Sequence, residues 1–79
     1  MKKSKNAVLT YLLIIEATED PDFFGFFAPD LDDFTGIGTS IADCVHKARQ
    51  GIKEHTALLR TYGFPVPRPS RKPVITFLR

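Results

Sequence analysis

Apolar positions along the chain follow two periods, and the change falls near Ser40. Residues 8–17 read VLTYLLIIEA, rich in the branched and aromatic side chains that strands favour. Its two alternating sets are Val8, Thr10, Leu12, Ile14 and Leu9, Tyr11, Leu13, Ile15. Both are largely apolar, which predicts a strand covered on both faces. The turn signal EDPD at 19–22 closes a hairpin into residues 23–28, FFGFFA, a second strand with aromatics on both faces. Residues 35–38, TGIG, suit a short third strand.

From Ser40 the spacing becomes helical. Ile41, Val45, Ala48, Ile52, His55, Leu59 and Tyr62 lie three or four apart and form one helix face. Ser40 and Asp43 predict a capping box, the hydroxyl accepting an orphan N–H and the carboxylate reaching back. Gly63 and Pro65 stop the helix. FPVPRPSRKP is extended by composition, a strap rather than a helix. Residues 74–78 alternate again as a last strand.

The expected fold is therefore α+β, in the order β-β-β-α-β: a small antiparallel sheet of three to four strands packed on one long helix. One helix covers one sheet face, and the uncovered apolar face predicts a homo-oligomer. The expected organisation is a basic flexible tail at 1–6 and a single domain at 7–79.

A chain of 79 residues with one cysteine, Cys44, forms no internal disulfide, which suits a reducing, cytoplasmic setting. The basic start and apolar run resemble a signal peptide, yet they lead into EATEDPD instead of a small-residue cleavage site. The run is also shorter than the roughly 20 apolar residues a bilayer requires, so no membrane role is expected. The net charge of +2 conceals a division. Residues 6–46 hold eight carboxylates and no Lys or Arg; residues 47–79 hold eight bases against Glu54 alone. Such a division steers a charged partner, or pairs two copies head to tail.

The stretch APDLDDFTGIGTS concentrates the candidate chemistry. Asp30, Asp32 and Asp33 suggest a calcium loop, but Phe34 stands where a third ligand belongs, glycine comes a residue late, and Ile41 replaces the closing glutamate. Glu16, Asp30, Asp32 and Asp33 are the candidates for a nuclease-type magnesium site, and a solvated turn whose aspartates cap backbone groups is the stronger reading. Gly36-Ile37-Gly38 lacks the third glycine of a dinucleotide fingerprint, and no Gly-Lys-Ser/Thr follows. Cys44 and His46 diverge by about 200° around a helix and cannot act together in one chain. His55 reads as a core residue. No catalytic residue, metal or cofactor is expected, and the chain is not expected to be an enzyme. Lys47, Arg49, Lys53 and Arg60 on the helix, with Arg68, Arg71 and Lys72 on the strap, have the charge for phosphate contacts, but no recognition module frames them. They read as a solvated basic face.

Taken in order, the strand pair, then FFAPDLDDFTGIGTSIADCVHKARQGI, then YGFPVPRPS, resembles the HicB-type antitoxins of bacterial toxin–antitoxin pairs. Ala28, Pro29, Asp30 and Leu31 match that family's aromatic–alanine–Pro-Asp-Leu turn. Gly38, Thr39 and Ser40 approximate its helix start, and Ala48, Gly63, Pro65, Pro67, Pro69 and Ser70 fit the remainder. Asp43-Cys44 stands where Glu-Ala is usual, and Asp32-Asp33-Phe34 replaces a Pro-Gly-Cys type of turn. The resemblance implies a partly RNase H-like fold and a function by occlusion: binding a small basic, mRNA-cleaving HicA-type toxin and covering its active site. The charge division suits such a partner, with Asp30, Asp32 and Asp33 as its expected contacts. The family pattern usually continues into a C-terminal DNA-binding domain; without one, no direct DNA binding is expected. An orphan HicB-like homo-oligomer and a metal-dependent nuclease are the other readings.

Overall fold

The computed structural model describes residues 10–79, so the basic tail and the first two residues of the expected first strand lie outside the described residues. Four strands and one helix follow in the order β1 (Leu13–Ala17), β2 (Phe24–Phe27), β3 (Thr35–Gly38), α1 (Ile41–Thr61) and β4 (Ile75–Leu78). The class is α+β, as the pattern predicts, with spatial strand order β3-β2-β1-β4.

The sheet is mixed rather than wholly antiparallel. β1 pairs antiparallel with β2, and β2 with β3, but β4 runs parallel to β1. The cause is the connection: helix and strap together carry the chain back along the sheet before β4 begins, and a parallel neighbour requires such a crossover.

The first strand is shorter than its composition suggests. Residues 10–12 make their hydrogen bonds to the proline strap instead of to a strand. Ser70 N–H donates to Thr10 O at 3.1 Å, Leu12 N–H donates to Ser70 Oγ at 2.8 Å, and Tyr11 Oη donates to Pro67 O at 2.6 Å. Prolines lack the N–H that would extend a ladder, so single anchors replace it.

Paired residues share a sheet face. Leu13, Ile15 and Phe26 point to the helix and are buried with Tyr11, Ala28, Leu31, Cys44, Ala48 and Ile52. Within α1 the buried line is Cys44, Ala48 and Ile52, with Val45 and Leu59 packed beside it. Ile41 and Tyr62, expected on the packed face, are 43% and 70% exposed. Length explains this: α1 has 21 residues, about 31 Å, whereas a five-residue strand spans about 16 Å, so both helix ends overhang. The helix packs on β3, β2 and β1 and makes no contact with β4. Ile75 and Phe77 of β4, on the helix side of the sheet, stay about two-fifths exposed.

The ends of α1 are well specified. Ser40 Oγ accepts from Asp43 N–H at 3.0 Å. Asp43 Oδ2 reaches past Ser40 to accept from Thr39 N–H at 3.0 Å, one residue earlier than a simple capping box. At the far end Phe64 N–H donates to Leu59 O (2.8 Å) and Gly63 N–H to Arg60 O (3.1 Å), a Schellman motif. Gly63 sits at φ 75, the left-handed conformation that motif needs and that glycine adopts without penalty.

Candidate partner-binding surface

The acidic stretch singled out in the sequence is a double turn. Leu31 N–H donates to Ala28 O at 3.0 Å, and Phe34 N–H to Leu31 O at 3.2 Å, so two tight turns share Leu31. Leu31 is buried and pins the loop from inside. Phe34 wedges between Phe26 and His55, with ring centroids at 6.1 Å from each. His55 is half-buried against that ring. Asp33 adopts φ 63, a conformation Asp tolerates better than most residues.

Anchored in this way, the loop separates its aspartates. Asp32 and Asp33 are exposed at the tip between β2 and β3. Asp30 does something else: its Oδ2 accepts from Ser70 Oγ at 2.6 Å, the same hydroxyl that accepts from Leu12 N–H. One serine thus joins the loop, the approach to β1 and the strap. Nothing in the sequence pairs Asp30 with a residue forty positions away, though Ser70 is the one hydroxyl in FPVPRPSRKP. Among the described residues no group of three or more His, Cys, Asp and Glu is placed to share a metal ion.

The sheet face opposite the helix is the larger feature. Register puts two rows on it: Thr76, Ile14, Phe27, Thr35 and then Leu78, Glu16, Gly25, Ile37. No described element covers these rows. Ile37 is 54% exposed and Leu78 43%, while Ile14 and Phe27 are half-buried by their neighbours. Glu16, on an inner strand, sets a carboxylate among Ile14, Phe27, Ile37 and Leu78, with Thr35 and Thr76 on the outer strands.

Folding does not cancel the charge division. Among the described residues the single ion pair is Lys47 Nζ to Asp43 Oδ2 at 3.2 Å, within one helix turn. Lys47 also donates to Ile37 O at 3.3 Å, which ties α1 to β3. The Thr39 N–H and the Lys47 ammonium hold the Asp43 carboxyl below its ordinary range. Glu16, Asp32 and Asp33 have no cation partner among the described residues. Cys44 is buried in the core, and desolvation, aided by the Asp43 charge, raises its thiol pKa. No described helix is long and apolar enough to cross a membrane.

Set against protein-family models, curated proteins and solved structures, the chain matches none. The functional reading therefore rests on the resemblance of its motifs and on its own surfaces.

Proposed function

We propose that the chain is an antitoxin-like binding module of HicB type, which neutralises a small basic, mRNA-cleaving HicA-type toxin by covering its active site. The observation that carries the reading is an open sheet face that sets Glu16 among Ile14, Phe27, Ile37 and Leu78, with Asp32 and Asp33 on the β2–β3 loop tip and all three acids free of cations among the described residues. A basic partner with some apolar surface satisfies both demands: it buries Ile37 and Leu78 and supplies the missing charge for Glu16. An apolar partner would instead bury Glu16 unpaired, at a cost of several kcal/mol. A cytoplasmic site of action goes with this reading, because mRNA is the target it protects.

The test is inhibition of RNA cleavage by a small basic HicA-type toxin. Equimolar chain should abolish cleavage, and Glu16→Lys with Asp32→Lys should weaken association at least tenfold and flatten its salt dependence. Undiminished inhibition by that variant, or no inhibition by the parent chain, refutes the reading.

A second reading, a homo-oligomer through the same open face, is favoured by Ile37, Leu78 and the unpaired outer edges of β3 and β4. A symmetric pairing of two such faces brings Glu16 carboxylates toward each other. On this reading Glu16→Gln strengthens self-association in sedimentation; on the antitoxin reading it weakens toxin binding.

A further inference from the structure

We propose that a cleft along the flank of α1 binds single-stranded nucleic acid through its phosphates. The inference is independent of the antitoxin reading and concerns the opposite side of the sheet. Because α1 lies over β3, β2 and β1 and leaves β4 untouched, a cleft of about 590 Å³ opens between the helix flank, the approach to β1 and the strap. That volume lies within the range of ligand-binding clefts.

Four basic side chains line one wall: His46, Arg49, Lys53 and Arg60. Their spacing of three, four and seven residues sets them in one row on the helix, over about 21 Å of its length. None of the four makes an ion pair among the described residues. Glu54, the one carboxylate in residues 47–79, lies about 110° around the helix from this row. Residues 1–9 contain three lysines and no carboxylate, so the rest of the sequence has no acid to offer from that end. The three cations Arg49, Lys53 and Arg60, without an ion pair among the described residues, form an electrostatic footprint for a polyanion.

The remaining lining selects among polyanions. Thr10, Gln50 and Thr56 add hydroxyl and amide groups suited to phosphate and sugar oxygens. The apolar floor is formed by Tyr11 and Ile52, 2% and 7% exposed, together with the half-buried Val66. A linear charge array with hydroxyl and amide groups beside it suits a phosphate backbone, and the length of the row suits a few nucleotides of single strand rather than one mononucleotide.

The experiment uses the full chain and a fluorescein-labelled oligouridylate of about 12 nucleotides, read by anisotropy over a salt series. Three phosphate contacts from Arg49, Lys53 and Arg60 predict a log–log salt slope near −2. Arg49→Gln with Arg60→Gln should weaken binding at least tenfold and reduce the slope from near −2 to about −0.7, with an unchanged circular dichroism spectrum. Arg68→Gln with Arg71→Gln on the strap, outside the cleft, should stay within twofold. The proposal is overturned if the helix variant binds within twofold of the parent. It is equally overturned if replacing Lys2, Lys3 and Lys5 abolishes binding while the helix variant retains it. Displacement of the probe by polyglutamate as effectively as by unlabelled oligouridylate, at equal charge, assigns the cleft to an acidic protein instead.

Discussion

Ser70→Ala isolates the junction that the sequence conceals. The substitution deletes two hydrogen bonds at once: the 2.6 Å bond donated to Asp30 Oδ2 and the 2.8 Å bond accepted from Leu12 N–H. Leu12 is half-buried, so its stranded N–H costs about 1–1.5 kcal/mol, toward the low end for an unsatisfied buried donor. The bond to Asp30 is charge-assisted but open to water, which reduces its worth to about 0.5–1 kcal/mol. The expected loss is about 2 kcal/mol, or a fall in Tm of roughly 8–16 °C for a domain of this size. Urea unfolding of Ser70→Ala, Asp30→Ala and the double variant measures it. Their coupling should be about 0.5–1 kcal/mol, because Asp30→Ala removes only the shared bond. Additivity within about 0.3 kcal/mol, or a Ser70→Ala loss below about 0.5 kcal/mol, would refute the junction. The result also decides how partner binding must be probed: a substitution at Asp30 disturbs the strap and one at Asp33 the positive-φ turn, whereas Asp32 reports on the surface alone.

Two further outcomes follow from the ends of α1. Gly63→Ala places a Cβ at φ 75 and should cost about 1–2 kcal/mol in urea unfolding, with Gly63→Asn intermediate; equal stability would dispose of the Schellman argument. At the other end, the Thr39 N–H and Lys47 stabilise the ionised Asp43, so its folded pKa lies below its unfolded one. The unfolded chain then binds the proton more readily, and the stabilisation is present above the unfolded carboxylate value of about 3.9 and lost as pH falls through the lower folded value. Asp43→Asn should therefore flatten the acid limb of a stability–pH curve below about pH 4, and a slope equal to the parent's would exclude this role.

Local patterns made much of the fold legible. TGIG at 35–38 is β3, Ser40 with Asp43 marks the start of α1, and Gly63 marks its end, because each signal acts within a few residues. The parts that escaped depend on distant partners. Val8 to Leu12 reads as strand by composition, yet Thr10 to Leu12 are held by prolines and a serine near residue 70, a pairing no local period encodes. The parallel placement of β4 follows from where helix and strap deliver the chain, not from the alternation in VITFL, which is the same for either direction. Ile41 and Tyr62 match the helical period as well as Ala48 does; only the mismatch between helix and sheet lengths exposes them. The acids were legible as a cluster but not as two kinds, since the bond that sets Asp30 apart spans forty residues. The row His46, Arg49, Lys53, Arg60 was present in the spacing, but its meaning required the cleft that the offset of α1 from β4 creates.

The offset also explains how one small sheet carries two surfaces of opposite charge. Had α1 been centred over β1, its basic flank would lie over β4 and cover Ile75 and Phe77, and no cleft would remain. Lying instead over β3 and β2, it turns that flank outward above the strap, while the acids occupy the opposite face and the loop tip. Glu16 stands across the sheet from the basic flank, and the single Lys47–Asp43 contact joins neighbours on one helix rather than the two halves of the sequence. A partner seated on Ile14, Phe27, Ile37 and Leu78 therefore leaves the helix flank uncovered, so occupation of one surface does not exclude occupation of the other.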